Sequence, residues 1–149
     1  MLNRSGFFYC AETILQKIKE EKSNAFIIFL DIDGLKSVND NLGHEIGDAF
    51  IAKIAGILKE VVPKDCLIMR YGGDEFVVFG SCKQAGRMQR IAEDIKAAIK
   101  TADQKENRSY HLAASLGCSL HKSYEMDNLN SLIELADKKM YEEKKNKRR

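Results

Sequence analysis

Arg70-Tyr71-Gly72-Gly73-Asp74-Glu75-Phe76 sits between two short apolar runs, Cys66-Leu67-Ile68-Met69 before it and Phe76-Val77-Val78-Phe79 after it. Both runs are rich in β-branched and aromatic residues and predict strands. The short interval between them predicts a hairpin. Gly72-Gly73 would supply the positive φ angles of a tight turn and remove side chains that block close approach. Asp74 and Glu75 then stand side by side at the turn, where a hairpin alone needs no pair of acids. A solvated turn is the plain reading, and a chemical site is the other.

Upstream, Ala25-Phe26-Ile27-Ile28-Phe29-Leu30 is a continuous apolar run, the mark of a central strand buried on both faces. It runs into Asp31-Ile32-Asp33-Gly34. Alternation along a strand puts Phe29, Asp31 and Asp33 on one side and Leu30 and Ile32 on the other. Asp33 has two readings, one of them as the cap of the following helix. Asp31 has no such role. An acid directly after six buried apolar residues is costly unless something neutralises it, and a metal ion is the simplest partner.

The remaining pattern is helical. Residues 5–21 place Phe8, Ile14, Leu15 and Ile18 on an apolar face. A short helical turn is expected at 35–39, then a break at Asn41-Leu42-Gly43-His44. Residues 45–62 carry Ile46, Phe50, Ile51, Ile54, Ile57, Leu58 and Val61 in one core-facing stripe, ended by Pro63. After the hairpin, residues 83–101 form a helix with Met88, Ile91, Ile95 and Ile99 inward, followed by a polar loop at 102–109. A strand at 110–120 and a helix at 129–145 complete the chain, the helix carrying Leu132, Ile133, Leu135, Ala136, Met140 and Tyr141. The expected class is α+β, with helices packed on a mainly antiparallel sheet.

Composition narrows the function. The 149 residues are enough for one domain with a full core, and a formal charge of +2 argues against a protein that coats nucleic acid. No run approaches the ~20 apolar residues of a membrane span. Cys10, Cys66, Cys82 and Cys118 are widely spaced, without a C-x-x-C pair, and read as buried thiols of a cytoplasmic protein.

Several segments together resemble one family. Asp31-Ile32-Asp33-Gly34-Leu35-Lys36, Asn39-Asp40 and Gly43-His44-Glu45-Ile46-Gly47-Asp48 resemble the first half of a GGDEF active site. Arg70 to Phe76 resembles the second half, while Ser115-Leu116-Gly117 and Ala136-Asp137 through Lys144 resemble the last strand and helix. The resemblance spans residues 1–149 as a single GGDEF domain. The opening Leu2-Asn3-Arg4 resembles the end of the family's lead-in, so the chain is expected to be the C-terminal catalytic part of a longer signalling protein, itself cytoplasmic or the cytoplasmic part of a membrane-anchored sensor.

The family implies a palm-like fold, related to class III nucleotidyl cyclases and polymerase palms. It implies condensation of two GTP into cyclic di-GMP and two pyrophosphates, by a homodimer. The alternative is a GTP- or cyclic-di-GMP-binding regulatory module without catalysis, whose usual mark, a broken acidic signature, is absent here. Two Mg²⁺ or Mn²⁺ ions per half-site are implied, since phosphoryl chemistry uses metals held by a few carboxylates and phosphate oxygens. By resemblance Asp31 and Glu75 are metal ligands with the Ile32 carbonyl, and Asp74 takes the 3′-hydroxyl proton or shares a metal.

By resemblance Asn39 and Asp48 would read guanine, and their chemistry suits it, an amide offering donor and acceptor and a carboxylate accepting from N1-H and the 2-amino group. Their other reading is a turn residue and a helix N-terminal charge. Gly72 and Gly73 would admit the ligand to the backbone. Lys36, Lys144 and Arg148 match the positions that hold the triphosphate. The family usually has Gly-Arg or Gly-Lys near the end, whereas this chain reads Lys144-Lys145-Asn146-Lys147-Arg148-Arg149, so Arg148 is either such a contact or part of a frayed basic tail. Gly34 and Leu35 stand where many members carry aromatics. The Arg-x-x-Asp pair that binds inhibitory product in many members falls here on Pro63 and Cys66, which cannot replace it.

Overall fold

The computed structural model describes residues 1–106, 108–122 and 128–147. The apolar run becomes β1 (Asn24–Ile32), the central strand, paired antiparallel on both edges. Its neighbours are β3 (Glu75–Cys82) and β4 (Ala114–Lys122), and β2 (Leu67–Arg70) lies outside β3. The sheet order is β2-β3-β1-β4, antiparallel throughout, with one isolated parallel bridge from Leu2 to Met69.

Strand alternation divides the core as the sequence requires. Phe26, Ile28, Leu30 and Ile32 face α3 (His44–Val61) and α4 (Arg87–Lys105). Ala25, Ile27 and Phe29 face α1 (Arg4–Glu20) and α5 (Leu129–Lys147). Asp31 continues that second row, so its carboxylate emerges on the α5 side. α2 (Leu35–Leu42) lies between β1 and α3.

Several boundaries differ from the sequence reading, each for a local reason. α1 buries Phe7, Ala11, Leu15 and Ile18, while Phe8 and Ile14 flank this stripe half-buried. α2 gains a turn and ends at Leu42, where Gly43, at φ +92°, alone joins it to α3. Ile46, Leu135 and Tyr141 are exposed, not core. β3 runs on to Cys82, so α4 starts only after Gly86, and it takes in residues 102–105 of the expected loop. Residues 110–113 are not strand, because their partner β1 ends where Ile32 pairs with Ala114. Leu112 is nonetheless buried.

The hairpin turn also differs. Among the glycines, positive φ occurs at Gly34, Gly43 and Gly86, not at Gly72 or Gly73. Residues 71–74 form a four-residue loop, which does not need the positive angles of a two-residue turn. Gly72 instead leaves room for the Glu75 carboxylate, which folds back against it. A Cβ there would fall 3.4 Å from Glu75 Cδ and closer still to its Oε1.

Candidate active site

β1 and β3 are registered so that Asp31 stands opposite Glu75, and opposite residues of an antiparallel pair project to the same side. The loop between β2 and β3 is pinned beside them. The Ile32 amide donates to the Asp74 carbonyl (2.9 Å), and the Tyr71 amide donates to the Glu75 carbonyl (2.8 Å). Arg70, exposed, donates Nη2 to the Gly73 carbonyl (2.7 Å) and Nε to the Gly72 carbonyl (3.3 Å). Asp31, Asp74 and Glu75 are thereby gathered at the end of the central strand.

The charges strain against one another. Burial first, then the Asp74 carboxylate, pushes Asp31 up to about 6 from an ordinary 3.8, against the pull of Lys144. Burial, Asp74 and Asp137 likewise push Glu75 up. Asp137 is itself raised by burial. Asp31 Oδ1 is buried without a hydrogen-bond partner, while Oδ2 accepts from Lys144 Nζ at 3.1 Å.

Among the described residues no three acid, histidine or cysteine side chains close into a metal cage. An orphaned carboxylate oxygen beside two further acids nevertheless suits Mg²⁺, which takes one or two carboxylates and completes its shell with water and phosphate. The donor set is oxygen only, as a hard cation prefers. The residues present fit such an ion.

Asp33 is not the helix cap; Gly34 holds that position. Its Oδ1 accepts from Ser115 Oγ (2.8 Å) and its Oδ2 from Lys147 Nζ (3.0 Å). Lys147 also donates to the Ala114 carbonyl (2.7 Å), and Lys144 lies 3.8 Å from Asp33. Lys147, Ser115 and Arg4 were not assigned roles from sequence. Lys147 follows Lys144 by three residues and shares its helix face, which is the signal that could have found it. Arg4 is placed over the Tyr71 ring, 4.4 Å from its centroid, and its charge lowers the Glu75 carboxyl.

Lys36, Asp40, Asp74, Ile32 and Lys144 line one open cavity of about 500 Å³, beside the acids. Asn39 and Asp48 are placed apart from them, on α2 and α3, adjoining through Gly47, which is buried against the Asn39 amide. Asp48 is exposed and lies beyond the first turn of α3, so the helix-terminal reading does not describe it. Gly73 is exposed, with nothing near where a side chain would stand. Arg148 lies outside the described residues.

α5 brings Lys144 to Asp31 because Gly117 lets it lie directly on β4. A Cβ on Gly117 would fall 2.7 Å from Met140 Cα and closer to backbone atoms of Ala136 and Met140.

The family model described as "Diguanylate cyclase, GGDEF domain" matches residues 1–149. The chain belongs to this family. It is 31% identical to diguanylate cyclase A of Treponema denticola over 130 residues, 87% of this chain and 35% of that protein. It is 36% identical to diguanylate cyclase VdcA of Vibrio cholerae over 120 residues, 79% of this chain and 35% of that protein. The chain thus spans about a third of the length of these relatives. Among solved structures it is similar to the GGDEF domain of TpbB (YfiN) from Pseudomonas aeruginosa, with a TM-score of 0.87, 27% identity and coverage of 98% of this chain and 86% of that one. The GGDEF domain of DgcB from Caulobacter crescentus, solved with c-di-GMP, gives a TM-score of 0.86 at 25% identity, again covering 98% and 86%. Among the described residues no helix is long and apolar enough to cross a membrane.

Proposed function

We propose that residues 1–149 act as one diguanylate cyclase domain that supplies half of a two-fold active site. Two GTP molecules would be condensed: each 3′-oxygen bonds to the other's α-phosphorus, the bond to the β-phosphate breaks, and two pyrophosphates leave. The observation that carries this reading is the buried, unpartnered Oδ1 of Asp31, whose carboxylate interacts with Asp74 and stands opposite Glu75.

The chain's residues divide the work. Asp31, Glu75 and the Ile32 carbonyl would hold divalent cations, with Asp74 beside them. When bound, these ions supply charge for the attacking and leaving oxygens. Asp74 receives the 3′-hydroxyl proton or shares a metal. Lys36 and Lys144, already in one cavity, hold the triphosphate, and Lys144 must give up Asp31 to do so. Asn39 and Asp48 select guanine, and Gly72 and Gly73 leave the loop open to the nucleotide. One site holds one nucleotide, so two copies of the chain meet face to face.

Asp31→Asn and Glu75→Gln test the assignment. Each is expected to abolish turnover of GTP with Mg²⁺ while circular dichroism stays that of the parent. Turnover retained in either folded variant would sink it.

A further inference from the structure

α3 carries a glycine four residues into an otherwise regular helix, at Gly47. Glycine is the costliest ordinary residue in a helix interior, and of the two in α3, Gly47 and Gly56, only Gly47 would place a Cβ against another group. The φ of Gly47 is not positive, so conformation does not call for glycine there. Space does. A Cβ on Gly47 would come 2.8 Å from Asn39 Cγ and closer still to Asn39 Oδ1. The three atoms nearest that Cβ all belong to the Asn39 amide, which occupies the place of the missing side chain.

We infer that Gly47 is a positioning residue for nucleotide recognition: its bare Cα sets where the Asn39 amide sits and so how the base is held. The inference rests on the base-reading role proposed for Asn39. The obstructed atoms are the far end of one side chain, not backbone, so Gly47→Ala relieves the clash by turning the amide away. The helix stays intact and gains a better helix former. Recognition is lost, and stability is not.

Four proteins test it: the parent, Asn39→Ala, Gly47→Ala and the double variant. Calorimetry measures binding of 3′-deoxy-GTP, which lacks the attacking hydroxyl, with Mg²⁺ present. Asn39→Ala and Gly47→Ala are each expected to weaken binding about tenfold, as for one lost hydrogen bond to the base. The double variant should bind no more weakly than Asn39→Ala, because nothing is left to misplace. Gly47→Ala should melt no lower than the parent. Parent-like binding by Gly47→Ala overturns the inference, as does a full second tenfold loss in the double variant. Loss of stability in Gly47→Ala that Asn39→Ala does not restore also overturns it. An Asn39→Ala protein that binds like the parent would refute the base-reading role itself, which separates that failure from the failure of Gly47.

Discussion

Asp31→Asn should make the metal-free protein more stable at neutral pH. The replacement keeps the shape of the side chain and removes its charge. In the folded chain, burial and Asp74 hold the Asp31 carboxyl at about 6, above its ordinary 3.8. The folded state therefore binds this proton more tightly than the unfolded state does. Stability falls as pH rises from about 4 to about 6 and stays lowered above that. A carboxyl held about two pH units too high costs the ionised fold ~3 kcal/mol at pH 7.5. The side chain is 15% exposed, so solvent screening removes only a part of this.

Asparagine gives some of the gain back. Its NH2 group needs an acceptor that the carboxylate did not, a cost of ~1 kcal/mol, whereas the loosened bond to Lys144 is already counted in the raised carboxyl. Lys144 is not stranded, being 21% exposed and still 3.8 Å from Asp33. The net gain is ~1–2 kcal/mol, a rise in Tm of about 3–6 °C for a domain of this size. Thermal unfolding in chelator across pH 4 to 8 measures it. The gain should shrink toward pH 4, where the folded carboxyl is protonated and the unfolded one, at an ordinary 3.8, is about half protonated. A variant less stable at pH 7.5, or a gain that does not change with pH, refutes the electrostatic account of this site.

Three further outcomes follow from the same geometry. GTP should be turned over and bound in strong preference to ATP, since adenine would leave Asn39 and Asp48 with unpaired polar groups; comparable use of ATP contradicts their assignment. Specific activity should rise with protein concentration if each chain contributes half a site, and a flat profile from nanomolar to high micromolar in a demonstrated monomer excludes that arrangement. Product should not bind tightly at residues 63–66, where Pro63 has no donor, Cys66 is buried and Asp65 is paired with Arg87 at 2.7 Å. Calorimetry with cyclic di-GMP on an Asp74→Asn, Glu75→Gln protein checks this, and tight binding abolished by changes at 63–66 would show it wrong.

Much of this architecture was legible in the chain. β1 announces itself by its unbroken apolar run, and its alternation correctly set Asp31 apart from Leu30 and Ile32. What escaped was decided by contacts between distant segments. Residues 110–113 have the apolar alternation of a strand, yet a strand needs a partner, and β1 has ended by then. Gly72 looked like a residue chosen for its φ, when the carboxylate of Glu75 folding back against it is the constraint. Asp33 looked like a cap until Ser115 and Lys147, 82 and 114 residues away, claimed its oxygens. The acids at the site were visible because a charge after a buried run is costly wherever it is placed. The lysines that answer such charges sit on a helix of many lysines, where Lys144 stood out only by family resemblance and Lys147 only by its three-residue spacing from Lys144.

Incubation of the purified chain with GTP and Mg²⁺, with the products separated by chromatography, tests the central claim most directly. Cyclic di-GMP and pyrophosphate should form in a 1:2 ratio, and neither should form in Glu75→Gln. Tight GTP binding with no product at any protein concentration would contradict the claim and leave a nucleotide-binding module in place of an enzyme.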